Sequence, residues 1–104
     1  MPTYVIVNRV PEGYRPSPEA QRAWTVWFER LDASLVDRGN PVFSSTTLGA
    51  TGVETALGGY TLVSADDLEA AVALAKSCPA LSYGGGVEVG ELTLLNRGTQ
   101  RIGE

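Results

Sequence analysis

The stretch GGYTLVSADDLEAAVALAKSCP, residues 58–79, limits the architectures open to this chain more than any other segment. GYTLVS (59–64) mixes β-branched, aromatic and small residues in the manner of a strand. Ala65-Asp66-Asp67 follows, and either aspartate suits a helix cap that accepts from free backbone N–H groups. Leu68, Ala71, Val72 and Ala75 then recur at helical spacing. The many alanines let such a helix lie close to a sheet. Pro79 forbids its continuation. A strand feeding straight into a capped helix is half of a layered unit, so the remaining residues must supply the rest of a sheet.

They do so in a regular order. TYVIVNRV (3–10) is rich in β-branched residues and predicts a first strand. Three prolines and a glycine make 11–18 a loop. Ser17-Pro18-Glu19 reads as a helix start, with a capping serine, a proline at the first helical position and a glutamate at the positive dipole end. Ala20, Ala23, Trp24, Trp27, Phe28, Leu31 and Leu35 form one apolar stripe, predicting a helix to about Asp37 that Gly39 closes. PVFSSTTL (41–48) is expected as strand two, GATGVETALGG (49–59) as a loop, and 59–64 as strand three. SYGGG (82–86) is expected as a turn and VEVGELTLL (87–95) as strand four. The order β-α-β-β-α-β predicts an α+β domain over residues 1–95: a ferredoxin-like four-stranded antiparallel sheet with two helices on one face. Residues 96–104 are expected to be a flexible C-terminal tail.

Strand parity adds a partner. Tyr4 and Ile6 point to one face of strand one, Val5 and Val7 to the other, so both faces are apolar. Two helices cover one face, and a second copy of the chain is the expected cover for the other.

Composition narrows the function. The eight basic residues are scattered through a chain of net charge −4, which speaks against nucleic acid as a partner. No apolar run approaches the roughly 20 residues of a membrane span. No charged segment followed by an apolar one marks a signal peptide, and Cys78 has no partner for an intrachain disulfide, so a cytoplasmic protein is expected. The chain has no histidine. Acid–base chemistry would therefore need a shifted Glu, Asp, Tyr or Cys, a water, or the substrate itself. Common zinc and non-haem iron sites lose their usual ligand, and no metal or cofactor is expected.

The 58–79 stretch, taken with other segments, resembles the YCII-related family, which includes the DGPF-domain proteins. The resemblance spans residues 1–95. It rests on the short first strand, Trp24 and Trp27, Gly39-Asn40, Gly58-Gly59-Tyr60, Ala70-Ala71, Cys78-Pro79 and Val87-Glu88-Val89. It implies a ferredoxin-like fold and a homodimer whose sheets pack into a dimeric α/β barrel. Some relatives carry a cleft histidine and aspartate. Without histidine, and with Ala50-Thr51-Gly52-Val53-Glu54 where an Asp-Gly-Pro-Phe motif would stand, no family catalytic residue carries over.

Four residues are candidate ligand contacts. Asn8 and Arg9 end strand one, where a cleft commonly opens, and Arg9 suits a carboxylate. Glu54 precedes strand three in the glycine-rich loop, and its ordinary reading is a solvated loop carboxylate. Tyr60 combines a flat apolar ring with a hydroxyl that needs a partner if buried. Trp24 and Trp27 read first as core, Ser44–Thr47 as a half-solvated polar run, Cys78 as a small packing residue, and Gly84-Gly85-Gly86 as a turn without the lysine of a phosphate cradle. The function expected is that of a small homodimer with a cleft for a small aromatic or carboxylate ligand. A cofactor-free enzyme (isomerase, lyase or monooxygenase-like) on a small aromatic metabolite is the alternative. A structural dimer that binds another protein chain is the second alternative.

Overall fold

In β1 (Thr3–Pro11) every second side chain is buried, from Tyr4 through Ile6 and Asn8 to Val10. This period of two presents one face to the core and leaves Val5 and Val7 on the other. The structure, a computed structural model, describes residues 1–51 and 54–95. Helix α1 (Pro18–Leu31) starts as its sequence predicts: the Ser17 hydroxyl accepts from the Ala20 N–H at 3.1 Å, and Pro18 takes the first position. Ala20, Trp27 and Leu31 are buried, with Trp24 and Phe28 packed beside them.

The expected second strand is corrected. Helix α1 stops at Leu31 because Asp32 turns to φ 44°, and a single 3₁₀ turn (Asp32–Ser34) leads into β2 (Leu35–Asp37). Leu35, expected on the helical stripe, instead pairs with Val63 across the sheet. The four-residue step from Leu31 to Leu35 suits a helix, yet both residues reach the core by separate elements. Gly39 closes no helix; it lies in the turn after β2. Residues 41–48 form no strand beyond an isolated bridge between Pro41 and Gly59. Their polar side chains have nothing to bury, so pairing there would gain little.

Strand β3 (Thr55–Ser64) begins earlier than the expected 59, because Gly58 and Gly59 form an irregularity inside the strand rather than a loop before it. Of the expected 49–59 loop, Gly52 and Val53 lie outside the described residues. Helix α2 (Leu68–Ala75) is capped by Asp67, whose carboxylate accepts from the Ala70 N–H at 2.8 Å. Ala71 and Ala75 are buried as expected; Leu68 is not, since the first turn projects past the core beside exposed Asp66 and Asp67. Pro79 opens a 3₁₀ turn (Pro79–Ser82), and β4 (Gly86–Glu91) follows. The expected fourth strand ran to Leu95, but after Leu92, which still donates to the Thr3 carbonyl, the chain leaves the sheet with Leu94 exposed. The expected tail, 96–104, lies outside the described residues.

The sheet order is β2-β3-β1-β4 with all neighbours antiparallel, the arrangement of a ferredoxin-like α+β fold. Residues of both helices join Tyr4, Ile6, Val10 and Val63 in one core cluster. The opposite face carries Val5, Val7, Tyr60 and Leu62 at its centre, with Arg9 and Glu88 beside them. Among the described residues no helix is long and apolar enough to cross a membrane.

Candidate functional site

Beneath α1 the sheet does not close fully, and a cavity of about 400 Å³ remains. Its floor comes from the irregular pairing of β1 with β3. Asn8 faces Gly59 and Arg9 faces Leu57, so Gly58 is the extra residue of a bulge. A Cβ on Gly58 would collide with the Asn8 side-chain oxygen, so the bulge glycine is what lets the Asn8 amide lie here.

The roof is one helical face. Gln21, Trp24, Thr25 and Phe28 follow at steps of three, one and three, and all four line the cavity. Trp24 is held edge-on against Trp27 at 5.7 Å between ring centroids. Trp27 is itself anchored in the core by donation from its indole N–H to the Leu74 carbonyl at 3.2 Å.

The third wall is the segment from Arg38 to Phe43, folded back onto the bulge. Gly39 turns it with φ 74°, and a Cβ there would overlap the Tyr60 carbonyl. The Val42 N–H donates to the Gly58 carbonyl at 2.9 Å, and Asn40 donates to the Tyr60 hydroxyl at 3.2 Å. Tyr14 and Pro16 complete the enclosure. Arg15 ties that loop to the third wall: its guanidinium donates to the carbonyls of Tyr14 and Phe43 and sits 4.7 Å from the Phe43 ring centroid.

The lining includes two buried or half-buried polar side chains, Asn8 and Tyr14. Asn8 is 6% exposed, and its amide makes no side-chain hydrogen bond with the described residues. The Tyr14 hydroxyl is buried without a partner. A buried polar group left unpaired costs about 1–3 kcal/mol, so a ligand that completes the Tyr14 bond gains by doing so. Among the described residues lining the cavity there is no carboxylate and no thiol, and no group of three or more potential metal ligands occurs anywhere among them. Such a wall can hold a flat apolar molecule and meet its polar atoms; it has few means of moving protons.

Of the four residues expected at a site, Asn8 lines the cavity from the helix-covered face, and Tyr60 borders it from a strand position whose alternation puts its ring on the opposite face. Arg9 points to the other face of the sheet, where its guanidinium donates to the Thr55 hydroxyl at 2.8 Å and to the Thr55 carbonyl. Glu54 is an exposed bend residue off the cavity wall. Trp27 is core, whereas Trp24 is both core-packed and cavity-lining. Ser44–Thr47 are exposed. Tyr14, Arg38 and Phe43 were not expected at the site. Tyr14 carried a weak signal, being an aromatic residue in a proline-rich loop; Phe43 carried none, because its segment 41–48 reads as a strand. Compared with known proteins, the chain matches no family model and no curated protein.

Proposed function

We propose that this protein binds a small planar molecule in the cavity under α1, and works as a cytoplasmic homodimer of the YCII-related kind. The observation that carries the reading is an aromatic enclosure that also holds the buried Asn8 amide and the unpartnered Tyr14 hydroxyl. Ligand sites are typically apolar cavities with a few convergent polar atoms, and about 400 Å³ lies within their usual range. Binding is favoured over catalysis because the described wall offers tyrosines, amides and one arginine but no carboxylate or thiol. The homodimer is supported by the apolar sheet face centred on Val5, Val7 and Leu62, which no element of the chain covers among the described residues.

A thermal-shift screen of one- and two-ring planar compounds tests the binding reading. Binders should raise the melting temperature of the wild type. Phe43→Ala removes a half-exposed side chain from the wall, so it should leave the unliganded melting point nearly unchanged and weaken binding roughly tenfold. Absence of any hit, or equal binding by Phe43→Ala and by further cavity variants, would sink the reading.

A further inference from the structure

The charge on the cavity wall runs against that of the molecule. The chain carries twelve acidic and eight basic residues, yet the described wall holds no acid and one base, Arg38. Arg38 is exposed at the mouth, with its guanidinium carbon 4.5 Å from the centroid of Phe28, a roof residue. Stacking on an aromatic face orients a guanidinium while leaving its N–H edges free. Among the described residues those edges donate to nothing; the hydrogen bond Arg38 makes is through its backbone carbonyl, which accepts from Thr61. The lining also holds the Asn8 amide and Tyr14, whose hydroxyl is buried without a partner among the described residues. The wall therefore offers a cation at its mouth, aromatic surface and neutral hydrogen-bonding groups.

We propose that the ligand is a planar aromatic acid carrying a second oxygen function. Its carboxylate pairs with Arg38, its ring lies against Trp24 and Phe28, and a hydroxyl or carbonyl oxygen meets Asn8 and Tyr14. The assignment rests on the small-molecule reading above and adds the charge and polarity of the ligand. Guanidinium pairing with carboxylate is charge-assisted and geometrically matched, so it discriminates an acid from its neutral isosteres.

Titration calorimetry with three probes tests it: 6-hydroxy-2-naphthoate, its neutral carboxamide and 2-naphthoate. The hydroxy-acid should bind wild type about tenfold or more tightly than the carboxamide. Arg38→Gln changes an exposed side chain; it should remove that preference by weakening the acid about tenfold more than the carboxamide. Asn8→Leu should erase the preference for hydroxynaphthoate over naphthoate, and Tyr14→Phe should do so in a variant that keeps the ring. Equal binding of acid and carboxamide to wild type, or an acid preference that survives in Arg38→Gln, would overturn the acid assignment while leaving the cavity reading intact. Failure of all three probes, and of the broader planar set, would overturn both.

Discussion

Cys78 follows α2 and is 2% exposed among core side chains. Burial pushes its thiol up from 9.0 to about 11, against a smaller opposing effect of a backbone hydrogen bond with Ala80. The folded state thus holds the proton more tightly than the unfolded chain does. The resulting stability is fully present below about pH 9 and is lost as pH rises through about 11. Urea unfolding between pH 7 and 11 should show this fall, and Cys78→Ala should flatten it by on the order of 2 kcal/mol. A residual slope is expected in the variant, since burial, then Glu91 and Asp67, also raise the Tyr4 phenol. A thiol reagent at pH 8 should react at the rate of unfolding.

The two helices owe their starts to local chemistry, which is why both were legible in the sequence. Ser17 and Asp67 each accept from the N–H three residues on. Asp67→Ala should therefore cost about 1 kcal/mol in thermal or urea melts. Asp66→Ala, at an exposed neighbour without that bond, should cost under about 0.5 kcal/mol. Strand β2 is the opposite case. Its three residues carry no local signal, and it exists because Leu35 meets Val63 far along the chain. A glycine pair read as a break proved to be a bulge within β3, since only the register against Asn8 and Arg9 shows that pairing resumes. The same division governs the site. Asn8 and Tyr60 were visible as a strand-end amide and a strand aromatic. Arg38 was not, because its placement at the cavity depends on the 38–43 segment folding back onto Gly58, and Tyr14 showed only as a lone aromatic in a proline-rich loop.

For the molecule as a whole, the exposed side of the sheet sets a clear expectation. Val5, Val7 and Leu62 are adjacent in the register, and Glu88 shares their face with Arg9, so two copies can match both apolar and charged surface. Sedimentation velocity should find a dimer, and Val7→Glu, which places a second carboxylate directly opposite Glu88, should give a folded monomer by circular dichroism. A wild-type monomer at high micromolar concentration would defeat the homodimer. The sheet order also bears on how the chain reaches its shape. Strand β1 is central, yet its neighbours pair Thr3 with Ser64 and Tyr4 with Glu91. On the ribosome β1 is made before either neighbour exists, and it must wait with its apolar residues unpaired until most of the chain has emerged. Such distant pairings slow folding and lengthen exposure to aggregation. Chaperone dependence during synthesis should accordingly fall when the chain is permuted so that β1 follows β3.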